Sequence, residues 1–401
     1  MDDGFDGEPM LAARHCVAHA LTLVLAATAC GSPSGPHAAQ EPEIDAGGSR
    51  GGAGPEQDDA GSVPQGDLPE LPWAFAPVPL PPEPQDNPAT AAKTALGRLL
   101  FYDPIVSVDH QVACATCHSE AWGMGDGLAV SFGHGAGLLA GPGRNGPHRT
   151  RRNSPTLWNV AFRATQFWDG RAASLEDQVH FPFESKDEFD RPIADAVADV
   201  RAIPKYVALF RAAFPDDAEP ITEARFAEAI AAFERTIVSK RGLYDAYAMG
   251  DRSAMTESMV RGMFLFAEVG CPSCHAPPLF SSDRFEDRGV APIPGVDDAG
   301  RFETTGEEAD RNRFQVPTLR NLHDTPPFFH TGAAASVADA VKHEAAESVT
   351  RNGARPLDAR EMQDITAFLR DALFDSKNPP SRPKEVPSGL PVPIDGTSVL
   401  R

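Results

Sequence analysis

Two pentapeptides of the form Cys-x-x-Cys-His constrain this 401-residue chain more than any other feature: Cys114-Ala115-Thr116-Cys117-His118 and Cys271-Pro272-Ser273-Cys274-His275. Two cysteines three apart share one side of a helical turn, and the next residue projects a ligand from its end. The pattern is the attachment signature of c-type haem, with thioethers to the two vinyl groups and imidazole to the iron. Zinc sites also use Cys-x-x-Cys. Two copies weigh against zinc, because the other two of the six cysteines, Cys16 and Cys30, fall in a targeting segment. No cysteine is left for a structural disulfide. The expected cofactors are therefore two covalent haem c groups, one on Cys114, Cys117 and His118, one on Cys271, Cys274 and His275.

Residues 1–29 read as a signal peptide. Residues 21–29 are apolar but too few to span a bilayer. Arg14 precedes them, and Ala27-Thr28-Ala29 supplies the small-x-small end of a cleavage site. The acidic opening departs from this pattern, and a start at Met10 would restore it. Cys30-Gly31-Ser32 resembles a bacterial lipoprotein cleavage site, although Ala27 stands where leucine is usual. A lipid anchor at Cys30 is placed ahead of the alternative, a soluble product cleaved after Ala29. The expected location is the periplasm of a Gram-negative bacterium, at a membrane. Residues 30–86, rich in Pro, Gly and Ala, cannot bury enough apolar surface to offset ordering entropy and read as a tether. Residues 71–80 are more apolar and suited to lie on the folded body.

Beyond the tether, helical signals dominate. Asn87-Pro88 reads as an N-cap with proline in the first turn, opening a helix that carries Leu96, Leu99 and Leu100 to Asp103-Pro104. Phe226, Ile230, Phe233 and Ile237 recur at helical spacing, as do Met259, Met263 and Phe266. Ser174/Asp177, Ser336/Asp339 and Asp358/Glu361 look like capping boxes. Strand alternation is scarce. The body is expected to be all-α with long Gly/Pro-rich loops, in an N-terminal domain over 87–250, a C-terminal domain over 251–378 and a tail over 379–401. The formal net charge of −21, from 36 basic and 57 acidic residues, argues against nucleic acid as a partner. It suits a basic redox protein steered by a negative surface, or serves solubility alone.

Around the haem motifs, residues 87–369 resemble the bacterial di-haem cytochrome c peroxidases. The matching stretches are Leu96-Gly97-Arg98-Leu99-Leu100-Phe101-Tyr102-Asp103-Pro104, Ser131-Phe132-Gly133-His134-Gly135, Arg152-Asn153-Ser154-Pro155-Thr156 and Phe167-Trp168-Asp169-Gly170-Arg171. Val316-Pro317-Thr318-Leu319-Arg320-Asn321 and Thr325-Pro326-Pro327-Phe328-Phe329-His330-Thr331-Gly332 follow. The resemblance implies two cytochrome-c-like helical domains, with hydrogen peroxide reduced at the N-terminal haem. It implies electrons from a small cytochrome c or cupredoxin, and a homodimer. It makes His134 the displaceable distal ligand of the N-terminal haem. Gln178 and Glu188 become the active-site amide and acid, and Trp168 the residue between the haems. A Ca2+ ion is implied at Asn153, Thr325 and Pro327.

One departure bears on mechanism. The family's distal methionine of the second haem, or the tyrosine of the MauG-type relatives that oxidise a partner protein's tryptophans, falls on Glu344, beside His343. At 100° per residue Val337, Ala340, Val341 and Glu344 share one face while His343 points away, so Glu344 is preferred, with His343 the alternative. A hard anionic ligand would lower that haem's potential. The missing methionine favours the MauG-type rival; the retained His134 and Glu188 favour a peroxidase, which is the leading reading. A third reading is a non-catalytic electron carrier. The stretch 138–151, longer than the family usually has, carries Arg144, Arg149 and Arg151, with Arg152 following; it reads as a solvated loop ahead of the alternative, a set of arginines that tunes the entrance or docks a partner.

Overall fold

The computed structural model describes residues 70–377 and 380–396. The signal peptide, Cys30 and most of the tether lie outside the described residues. Among those described, the helices are α1 (Ala91–Tyr102), α2 (Cys114–Cys117), α3 (Leu175–Gln178), α4 (His180–Glu184), α5 (Ile193–Ala202) and α6 (Pro204–Ala213). They continue with α7 (Glu223–Glu234), α8 (Leu243–Ala248), α9 (Glu257–Glu268), α10 (Phe302–Thr305), α11 (Val337–Asn352) and α12 (Ala359–Ala367). A single π turn, Phe368–Ala372, extends α12. Strand is confined to two-residue pairs: β1 (Leu139–Ala140) runs parallel to β4 (Ile394–Asp395), and β2 (Phe285–Glu286) antiparallel to β3 (Phe314–Gln315). The body is thus helix-rich with few strands.

The same packing device appears twice. In the first half, α1 crosses α7 with Gly97 against the Ala229 backbone, where a Cβ would sit 1.7 Å from the carbonyl oxygen. In the second, α9 crosses α12 with Gly262 against Asp364, where a Cβ would sit 1.9 Å from the oxygen. Only glycine lets the backbones approach so closely. Each crossing closes a core on the apolar stripes read from the sequence. Leu96, Leu100, Phe101, Phe226, Ile230 and Phe233 form one; Met259, Met263, Phe266, Ile365, Phe368 and Leu369 form the other. Burying each such side chain contributes roughly 1.5–3 kcal/mol. In each half the first helix of the crossing leads to the Cys-x-x-Cys-His segment, so a packed core anchors the approach to each haem motif.

Capping holds where it was read at Ser174, Ser336 and Asp358, whose side chains accept the backbone N–H three residues on. Asn87 is a correction. The N-cap of α1 is Thr90, which accepts from the Lys93 backbone N–H. Asn87 is buried, donating to Glu176 Oε1 at 2.6 Å and accepting from Lys93 Nζ at 2.8 Å. A buried lysine needs acceptors, and that demand outweighs the cap.

Two extended segments tie the body together. Leu71 and Trp73 pack against the second core, and Trp73 Nε1–H donates to Tyr244 Oη at 2.8 Å. At the other end, residues 380–396 return to the first half. Val386 is buried in its core, Arg382 pairs with Asp395 at 2.7 Å, and β4 seats on β1.

Candidate active site

Each Cys-x-x-Cys-His segment opens on a cavity. The first, of about 320 Å³, is lined by Cys114, Cys117, His118, Trp168, Gln178 and Glu188 among others. The second, of about 560 Å³, is lined by Cys271, Cys274, His275, Phe314, His330 and Glu344 among others. The two histidines are built alike. His118 Nδ1 lies 3.1 Å from the Met124 carbonyl and His275 Nδ1 lies 3.2 Å from that of Phe280. Burial lowers both imidazoles to about 4, so both are neutral at pH 7. A ring nitrogen facing a carbonyl must donate, which leaves the Nε2 lone pair on each ring for a metal.

The donor set fits haem rather than zinc. A structural zinc site is closed by four protein ligands. Among the described residues no three His, Cys, Asp or Glu side chains converge as a metal site. Two cysteines and one neutral imidazole at the edge of each large cavity suit a covalently held porphyrin.

Opposing groups in the first cavity come from separate elements. Gln178 ends α3, which Ser174 caps. Glu188 follows α4 in a turn whose own N–H donates to the Ser185 carbonyl at 3.2 Å. The poorly solvated cavity wall raises the Glu188 carboxyl above its usual range, against the opposing charge of Arg171. Arg171 is held by Asp169 at 3.0 Å and lies 3.5 Å over the Phe167 ring. Glu188 therefore faces the cavity and is not an exposed helix-end acid.

A further carboxyl in this wall was missed. Glu234, the last residue of α7, is buried, lines the cavity, and has no hydrogen-bond partner for Oε2. Desolvation raises it to about 8, against the neighbouring Arg235. The signal was present in the sequence: Glu234 follows Ile230 by four and so shares the apolar face of its helix.

Trp168 lines both cavities. Its Nε1–H donates to the Asn153 carbonyl at 2.9 Å, and its ring lies 6.3 Å from that of His330. His330 is buried, stacked 3.5 Å from Phe314, and lowered by burial to about 4. Asn153, Thr325 and Pro327 all line the second cavity. The Asn153 Nδ2–H donates to the Leu128 carbonyl at 2.7 Å, which leaves the amide oxygen as its acceptor.

Glu344 and His343 separate as helix geometry dictates. Glu344 lines the second cavity with Val337, Ala340 and Val341, and Oε2 accepts from Arg288 Nε at 2.8 Å. His343 is absent from the lining; its Nε2 lies 2.7 Å from the Arg288 carbonyl, and its ring meets Phe329 edge-on at 5.0 Å. Among the described residues no methionine lines this cavity.

His134 is not brought to the first cavity. Ser131 and Gly133 line it, but the His134 ring lies outside, stacked 3.8 Å from His148 with Nε2 3.1 Å from the Lys186 carbonyl. The solvated-loop reading of 138–151 also fails at one arginine. Arg144 is only 3% exposed, because its guanidinium is consumed by backbone carbonyls; Arg152 just beyond is 7% exposed, paired with Asp169 and Asp298.

The sequence profile of the di-haem cytochrome c peroxidases matches residues 91–253. The methylamine utilization protein MauG of Methylorubrum extorquens is 36% identical over 296 residues, covering 72% of this chain and 80% of that protein. A cytochrome c551 peroxidase of Nitrosomonas europaea is 34% identical over 291 residues, covering 72% and 82%. Among solved structures, a MauG-like protein associated with microbial copper homeostasis superposes with a TM-score of 0.66 at 29% identity, covering 79% of this chain and 97% of that one.

Proposed function

The chain belongs to the di-haem cytochrome c peroxidase family and is an oxidoreductase of that class, and on this premise we propose that it reduces hydrogen peroxide at the cavity of Cys114, Cys117 and His118. Electrons would enter through the cavity of Cys271, Cys274 and His275, each half resembling a cytochrome c domain. The overall change is H2O2 + 2e⁻ + 2H⁺ → 2H2O. When bound, haem iron supplies the centre at which peroxide is held and electrons are delivered.

The chain's own residues then manage protons and position. Glu188, its carboxyl raised by burial, is the group proposed to take a proton from one peroxide oxygen and pass it to the other. Gln178 can donate its amide N–H to the same substrate. His118 keeps its lone pair because the Met124 carbonyl fixes its tautomer. Trp168 spans the space between the cavities and is the proposed relay. Asn153, Thr325 and Pro327 are the proposed calcium ligands, and Glu344 is the residue that would hold the iron of the second haem from across its cavity. A small cytochrome c or cupredoxin at the periplasmic face is the proposed donor, favoured by the net charge of −21. Dimerisation and a lipid anchor at Cys30 complete the reading.

The observation that carries this is Glu188 and Gln178 lining the same cavity as Cys114, Cys117 and His118. Steady-state peroxide turnover with a reduced donor tests it. Glu188→Gln should lower kcat by roughly 10²–10⁴-fold, the usual worth of a positioned acid–base group, while mass spectrometry still finds two haems. Unchanged turnover would remove Glu188 from the mechanism. The second reading, oxidation of a partner protein as in MauG-type relatives, is favoured by the absence of methionine from the second cavity. It predicts poor turnover with any small redox donor.

A further inference from the structure

The segment carrying His134 is gripped from several sides at once. Arg144 donates from Nε to the Phe132 carbonyl at 2.7 Å and from Nη2 to Gly133 at 2.7 Å. Its Nη1 reaches the Gly137 carbonyl at 2.5 Å and that of Leu139 at 2.7 Å. Four carbonyls of one loop thus converge on a single buried guanidinium, whose planar fork can serve them where an ammonium could not. The loop is also laced to the segment after Arg144. Gly133 N–H donates to the His148 carbonyl at 3.0 Å, and Thr150 N–H donates to that of Ser131 at 3.0 Å.

The far side of the loop is equally fixed. His134 N–H donates to the Glu188 carbonyl at 3.0 Å and Gly135 N–H to Asp109 Oδ2 at 2.7 Å. Gly133 lies so close to Asp187 that a Cβ would meet its carbonyl at 2.0 Å. The His134 ring completes the set, stacked on His148 with Nε2 directed to the Lys186 carbonyl. To enter the cavity the ring must leave these two contacts and the Asp190 carboxylate, 3.7 Å from Nε2, and any shift of the loop must break its buried carbonyl cluster on Arg144. Four hydrogen bonds from a charged donor oppose the movement.

We propose that Arg144 is a positioning residue that holds the His134 loop away from the cavity of Cys114 and Cys117, so that His134 does not ligate the iron of the resting protein. This rests on the haem reading of that cavity and departs from what the resemblance implied for His134. The clamp residue belongs to the stretch 138–151. It is backed by the returning C-terminal segment, since β1 within that stretch pairs with β4.

The test uses ferric holoprotein with two haems counted by mass; a missing first haem would fail the functional reading, not the clamp. Optical and electron paramagnetic resonance spectra would be compared for wild type, His134→Gly, Arg144→Ala and the double variant. Wild type and His134→Gly should give the same first-haem signal. Arg144→Ala should gain a low-spin component that disappears when His134 is also removed. Hydrogen exchange over residues 131–139 should rise at least tenfold in Arg144→Ala, a readout independent of the iron. Should that variant not fold, Arg144→Lys keeps the charge without the fork and should show the same component. The idea is overturned by a low-spin wild-type signal that His134→Gly abolishes, or by loop exchange that Arg144 variants leave unchanged.

Discussion

The indole N–H of Trp168 donates to the backbone carbonyl of Asn153 at 2.9 Å, and both residues line both cavities. The hydrogen bond fixes the ring's rotation in the partition between the two Cys-x-x-Cys-His sites. A Trp in a core is ordinarily packing, and here one side chain can both pack and carry charge. Trp168→Phe retains most of the volume but loses the N–H and the more readily oxidised ring. Rapid-mixing measurements should show slower electron transfer between the haems and lower peroxide turnover, with haem content unchanged. Transfer at the wild-type rate would leave Trp168 a packing residue.

Glu234, whose buried Oε2 has no hydrogen-bond partner, should register in stability against pH. Its carboxyl is raised from 4.5 to about 8 by burial. Below the ordinary value both folded and unfolded chains hold the proton. Between the two values the unfolded chain has released it while the folded chain retains it, so stability falls as pH rises. The contribution is fully present below about 4.5 and lost through about 8, with a slope approaching about 1.4 kcal/mol per pH unit. Glu234→Gln cannot ionise and should flatten this part of the curve. Denaturant unfolding from pH 4 to 9 is the measurement; parallel curves for the two proteins would contradict it.

Glu234 also shows what could be read from residues alone. The haem motifs, the apolar stripes of α7 and α9 and the caps at Ser336 and Asp358 were legible because each is a local pattern with one physical solution. Glu234 sat on an apolar stripe in plain view, by the same reasoning that singled out Glu344. Asn87 was misread because a cap and a buried lysine's partner look identical in one dimension. Arg144 was invisible for a similar reason. A guanidinium saturated by backbone carbonyls leaves no trace in spacing, since its partners are main-chain atoms of any residue. The return of residues 380–396 depends on Val386 and Arg382 finding pockets built by distant chain, which no periodicity announces.

Glycine at the two helix crossings gives a sharper test of packing. A Cβ at residue 262 would lie 1.9 Å from the Asp364 carbonyl oxygen, and backbone cannot rotate aside as a side chain can. Gly262→Ala must push α9 and α12 apart, opening the core around Phe266 and Phe368. Overpacking of this kind costs about 1–3 kcal/mol and sometimes more. Gly97→Ala should behave alike at the α1–α7 crossing. Thermal unfolding should show a lowered midpoint for each, although alanine is the better helix former at exposed positions. A neutral or raised midpoint would mean that the helices are less tightly engaged.

The last prediction concerns the second haem. Arg288 Nε–H donates to Oε2 of Glu344 at 2.8 Å, which leaves Oε1 available to a metal, while His343 Nε2 lies 2.7 Å from the Arg288 carbonyl. One arginine thus engages both candidates, its guanidinium with the carboxylate and its carbonyl with the imidazole. With no methionine lining the cavity, the ferric protein should lack methionine–iron charge-transfer absorption. A hard anionic ligand stabilises ferric over ferrous iron, so the potential of this haem should rise when the ligand is made softer. Glu344→Met should therefore bring in the charge-transfer band and raise the potential measured by spectroelectrochemical titration. His343→Ala should change neither. If the band is present in the wild type, or if His343→Ala alters the second haem's spectrum while Glu344→Met does not, the ligand is not Glu344.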